Sequence, residues 1–105
     1  MSTATIAGVP VELDGEGFMT DATQWTREIA EAIARESGID PLTEKHWQVI
    51  DFCRADNEVK GTPPTVRRIT KGTGISTKEI YALFPKGPGI LASKVSGLPK
   101  PKGCI

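Results

Sequence analysis

The chain has 105 residues and no net charge, enough for one domain with a modest core. No apolar run is long enough to cross a bilayer, and Met1-Ser2-Thr3-Ala4-Thr5-Ile6 lacks the basic start and apolar stretch of a secretion signal, so a cytoplasmic location is expected. In that compartment the two cysteines, Cys53 and Cys104, read as free thiols rather than a disulfide.

The zero net charge hides a division. Residues 1–59 hold four basic and twelve acidic side chains, a balance of −8, whereas residues 60–105 hold nine basic and one acidic, a balance of +8. Such polarity suits a directed surface that meets nucleic acid, an acidic protein face or an anionic substrate. The plainer alternative is that the two halves neutralise each other within the fold.

Residues 4–20 read as a β-hairpin. Thr5-Ile6-Ala7 and Val9-Pro10-Val11-Glu12-Leu13 alternate, Asp14-Gly15-Glu16-Gly17 carries turn chemistry, and Pro10 marks an edge. The first helix covers about 26–37, with Trp25, Ile29 and Ile33 recurring every four residues and Gly38 as its stop. The second starts at Thr43, carries Trp47, Ile50 and Arg54 on one stripe, and ends before Gly61. A third is capped by Thr62 with Pro63 in its first turn and is broken by Gly72-Thr73-Gly74. A fourth opens with Ser76 and Glu79 as a capping box and ends at Pro85. A fifth begins at Gly87-Pro88, carries Ile90, Leu91 and Val95, and stops at Gly97. The fold class is therefore mainly α with a small N-terminal β-hairpin (α+β), a compact domain over 1–97 followed by a flexible arm over 98–105.

The third and fourth helices form a helix-turn-helix-like pair in the basic half. The second of them offers only Lys78 and Glu79 as charged side chains, whereas base reading wants Arg, Asn or Gln near the helix start. DNA binding is therefore the lesser reading beside simple packing. His46, the only histidine, has no partner cysteine at ligand spacing and no nucleophile beside it. Neither a metal site nor a hydrolytic triad is expected, and His46 reads as a hydrogen-bonding group in the first turn of its helix.

The thiols differ. Cys53 lies mid-helix between Phe52 and Arg54, where a cysteine behaves as a small, inert core residue. Cys104 lies in Leu98-Pro99-Lys100-Pro101-Lys102-Gly103-Cys104-Ile105. Pro99 and Pro101 bias this stretch towards an extended arm, and Lys100 and Lys102 favour the thiolate. A reactive sulfur on a semi-rigid basic arm suits delivery into another protein. A loose chain end that happens to hold a cysteine is the other reading.

This tail, together with Leu83-Phe84-Pro85-Lys86-Gly87-Pro88, Pro64-Thr65-Val66-Arg67, His46-Trp47 with Phe52 and Arg54, and Gly17-Phe18 followed by Trp25, resembles the DsrC/TusE family. That family comprises the gamma-subunit-like protein of dissimilatory sulfite reductase and its sulfur-relay relatives. The resemblance implies a small helical fold with a hairpin and a mobile arm, and a penultimate cysteine, here Cys104, that carries sulfur as a persulfide. It implies that Arg67, with Lys71, lines the cleft into which the arm retracts, supported by the charge of Lys100 and Lys102. Pro99, Pro101 and Gly103 set the arm's reach. Two-cysteine members carry a second arm cysteine at the position held here by Ser93, and a hydroxyl cannot share a bridging sulfur, so the single-cysteine, TusE-like pattern is implied. The expected protein is a sulfurtransferase-type carrier without a cofactor and not a self-contained catalyst. Its partners would be the donor and acceptor proteins of a sulfur relay or the catalytic subunits of a sulfite reductase, with neither nucleic acid nor membrane. A sulfite-reductase gamma-subunit-like role and a helix-turn-helix regulator stand as alternatives.

Overall fold

The computed structural model describes residues 2–85 and 87–100. Strands β1 (Ser2–Ile6) and β2 (Val9–Leu13) pair antiparallel, in register from Ser2 opposite Leu13 to Ile6 opposite Val9. The chain reverses at Ala7-Gly8, both at positive φ (53° and 78°), as a two-residue hairpin turn requires. The turn expected at residues 14–17 is instead a second reversal. The Asp14 carboxylate accepts the Glu16 and Phe18 N–H groups at 2.8 and 2.9 Å, and a bridge from Leu13 to Met19 folds buried Phe18 and Met19 under the ribbon. The Phe18 N–H holds that carboxyl below its ordinary pKa.

A 3-10 turn (Ala22–Gln24) leads to α1 (Arg27–Glu36), whose Thr26 cap accepts the Ile29 N–H. Its inner face is Ile29, Ala30, Ile33 and Ala34. Gly38 (φ 89°) closes it: the Ile39 N–H returns to Ala34 O at 2.8 Å and the Gly38 N–H to Arg35 O at 3.1 Å. This is a Schellman turn that drops Ile39 into the core.

Helix α2 (Glu44–Lys60) buries Val49, Ile50 and Cys53. Helix α3 (Val66–Thr73) starts at Thr65, not at Thr62, because Pro64 excludes helical geometry at Pro63. It also continues through Gly72, which lies against Phe52 where a Cβ would come within 2.1 Å of the ring, and ends at left-handed Gly74. Helix α4 (Thr77–Leu83) takes its cap from Ser76, whose hydroxyl accepts the Glu79 N–H. The Glu79 carboxylate, expected to return to that cap, pairs instead with Lys45 of α2. Helix α5 (Pro88–Val95) is the central element, packed on α1, α2 and α4 with Leu91, Ala92 and Val95 inward.

His46 joins α2 to the end of α4. Its Nε2 faces the Leu83 carbonyl at 2.8 Å and must be the donor, so Nδ1 accepts the Thr43 N–H at 3.0 Å. The ring meets Phe84 edge-on at 5.1 Å. His46→Ala should lower the unfolding free energy by about 2–4 kcal/mol, since it takes the donor from a half-buried carbonyl and opens a cavity where the buried ring sat. Urea titration checks this; a loss under about 0.5 kcal/mol, the scale of a neutral surface change, would contradict it.

Candidate functional site

The last carbonyls of α5 sit where the chain leaves the helical body. A helix end leaves four carbonyls without intrahelical donors. Here each finds one. The Leu98 N–H bonds Ser93 O at 3.0 Å and the Gly97 N–H bonds Lys94 O at 3.2 Å, a Schellman turn with Gly97 at φ 72°. Trp25 Nε1–H donates to Val95 O at 2.9 Å, and Arg54 Nη1–H donates to Ser96 O at 2.8 Å.

Arg54 also reaches Ala22 O through Nη2 at 3.2 Å, and its guanidinium stacks 4.2 Å above the Trp25 ring. Burial draws this group below its ordinary pKa, while Glu58 and Asp51 oppose the shift. Gly97 is pressed on Trp25 so closely that a Cβ would fall 2.4 Å from Cδ1. Leu98, the first residue of the expected arm, is buried against this corner at 1 % exposure, whereas Pro99 and Lys100 are exposed. A cleft of about 340 Å³ opens beside it, lined by Ala22, Thr23, Arg54, Asn57, Glu58 and Leu98. Lys100 Nζ donates to Glu16 Oε2 at 2.7 Å, laying the start of the arm along the 14–17 loop.

Of the expected site residues, Pro101, Lys102, Gly103 and Cys104 lie outside the described residues, as does Lys86. Ser93 is 1 % exposed in α5, its hydroxyl donating to Gly89 O at 2.9 Å and its carbonyl holding Leu98. Arg67 and Lys71 are exposed on α3 and, among the described residues, form no salt bridge; their neighbour Arg68 pairs with Asp56. No hydrogen bond among the described residues joins Arg67 or Lys71 to Ser93 or Lys100. On α4, Lys78 is exposed. Cys53 is fully buried, and burial pushes its thiol up to about 12.

Sequence reasoning placed Trp25 and Arg54 on helix stripes and missed their joint role. The available signal was Arg54 itself, a charge four residues after Ile50 on an otherwise apolar stripe. Among the described residues no helix is long and apolar enough to cross a membrane.

A protein-family model described as DsrC like protein matches residues 5–105. The chain is 39% identical over 105 residues to the sulfite reductase, dissimilatory-type subunit gamma, of Nitratidesulfovibrio vulgaris, covering 100% of both chains. It is 36% identical over 102 residues to the sulfurtransferase TusE of Yersinia pseudotuberculosis, covering 90% of this chain and 94% of that one. A chain in the crystal structure of dissimilatory sulfite reductase I (DsrI) superposes with a TM-score of 0.89 at 38% identity, covering 99% of this chain and 100% of that chain.

The buried thiol makes a signed prediction. The folded chain keeps Cys53 neutral to about pH 12, while the unfolded chain ionises it from about pH 9. Its contribution to stability is therefore intact below pH 9 and is lost as pH rises towards 12. The stability difference between wild type and Cys53→Ala should shrink by up to about 1.4 kcal/mol per pH unit across that window. Urea melts at pH 8, 9.5 and 10.5 measure it, and a flat difference would contradict the assignment.

Proposed function

The chain belongs to the DsrC-like protein family, and from that membership we propose that it is a cytoplasmic sulfur carrier that loads sulfur on Cys104. The Cys104 thiolate attacks the outer sulfur of a donor persulfide, R–S–SH. A new S–S bond forms to Cys104, the donor S–S bond breaks, and the products are Cys104–S–SH and the donor thiolate R–S⁻. No electron is gained or lost overall. An acceptor thiolate then takes the outer sulfur by the same exchange, regenerating Cys104.

The observation that carries this reading is the state of the other thiol. Cys53 is sealed in the core with its thiol pushed up to about 12, so it cannot supply a thiolate at neutral pH. Cys104 is left as the one sulfur-bearing group. Arg67 steadies the anionic adduct in the retracted arm, with Lys71, Lys100 and Lys102 adding positive charge. Pro99, Pro101 and Gly103 set the arm's reach, and a stiff arm loses less entropy on entering a partner. Ser93 has no thiol to close a disulfide with Cys104, so the carrier works as a one-thiol relay. Its partners are donor and acceptor proteins of sulfur transfer.

A second reading follows from the 39% identity to a sulfite reductase gamma subunit over the full length. In it, the arm docks beside the catalytic subunits of such an enzyme.

Wild type and Cys104→Ala, each treated with glutathione persulfide and desalted, should differ completely in cyanide-labile sulfur. About one sulfur per chain is expected for the wild type and none for the variant, with the same unfolding midpoint in both. Labile sulfur persisting in Cys104→Ala would contradict the arm as the carrier.

A further inference from the structure

The two Schellman turns among the described residues differ in one respect. At the end of α1, backbone N–H groups satisfy Ala34 O and Arg35 O, and among the described residues Glu36 O and Ser37 O receive no protein donor. At the end of α5 the same backbone pattern satisfies Ser93 O and Lys94 O. Trp25 and Arg54 then take the remaining two carbonyls, Val95 O and Ser96 O. Stopping a helix needs only the backbone turn, as α1 demonstrates. The additional donors come from two different elements and converge on the last peptide groups before the chain departs.

They also confine the departing chain. The Arg54 guanidinium is held from below by the Trp25 ring and from the side by Ala22 O. Gly97 lies flat on the same ring, and Leu98 is buried. Pro99 is already exposed, so the passage from buried to exposed chain takes a single residue, and Lys100 then pairs with Glu16. The six Cα–Cα steps from Leu98 to Cys104 span at most about 20 Å, so a change in heading of about 30° at the root displaces the thiol by roughly 10 Å.

We propose that Trp25 and Arg54 are positioning residues that fix the heading of the C-terminal arm, and so the sector within reach of Cys104. The proposal deepens the carrier reading, but its test does not depend on sulfur chemistry. Spin labels on Cys104 and on an added Val59→Cys, at the 80 % exposed Val59 of α2, report the arm's spread by double electron–electron resonance. Cys53 stays unlabelled in the core. Trp25→Phe keeps an aromatic face and deletes the pyrrole ring with its N–H; Arg54→Met deletes both guanidinium bonds; Arg54→Lys keeps the charge and restores at most part of the contact. Losing one such bond raises the unclamped population roughly fivefold. The distance distribution should therefore broaden by at least about 1.5-fold in Trp25→Phe and Arg54→Met, with Arg54→Lys between them and the wild type. Loading of Cys104 by glutathione persulfide, a small donor indifferent to heading, should stay within about twofold of wild type, because the thiol itself is untouched.

Folded variants with the wild-type distribution would overturn the proposal, as would a tenfold loss of small-donor loading, which would place these residues in the thiol's own chemistry. If Arg54→Met does not fold, Trp25→Phe, which leaves the Arg54 bonds in place, decides. A wild-type protein that takes no sulfur overturns the carrier reading alone, and the distance distributions still decide the clamp.

Discussion

Arg54 occupies a position on α2 where an apolar side chain would complete the stripe begun by Trp47 and Ile50. A guanidinium there is tolerated only if its donors are used, and the surrounding structure supplies the acceptors. Ala22 O comes from the turn before α1 and Ser96 O from the end of α5, while the Trp25 face covers the cation. Three segments distant in sequence are thereby tied at one corner, and that corner is the root of the C-terminal arm. Gly97 follows from the same constraint: its φ of 72° closes the Schellman turn, and the Trp25 ring leaves no room for a Cβ.

The second organising feature is the separation of the two thiols. Cys53 is a core group whose environment suppresses its anion, whereas Cys104 follows two prolines and two lysines. The opposed charges of the two halves serve both fold and surface. Lys45–Glu79, Arg68–Asp56 and Lys100–Glu16 each join a residue of the acidic half to one of the basic half. Arg67, Lys71 and Lys78 remain exposed, giving the α3–α4 region a basic face suited to an anionic adduct or an acidic partner.

Much of this was legible in the sequence because the relevant signals are local. Thr43 and Ser76 cap where their side chains predict, and Gly38, Gly61 and Gly97 end helices where left-handed geometry is needed. Errors arose where a neighbour overrode a good local signal. Thr62-Pro63 has the form of a helix start, but Pro64 moves the start to Thr65. Residues 14–17 have turn chemistry and do turn, but the hairpin had already reversed at Ala7-Gly8, where an alanine accepts positive φ. The arm clamp was not legible, because a tryptophan N–H and a guanidinium reveal their acceptors only once α2 and α5 are packed. The resemblance to the DsrC/TusE family drew attention to Trp25 and Arg54 as matching positions without saying what they hold.

Peptide-level mass spectrometry of the native wild-type protein after exposure to glutathione persulfide tests the proposed one-thiol relay most directly. A gain of one sulfur, about 32 Da, confined to the peptide containing Cys104, with the Cys53 peptide unmodified until the protein is unfolded, is the predicted result. Sulfur on the Cys53 peptide of the folded protein, or none on Cys104, would contradict it.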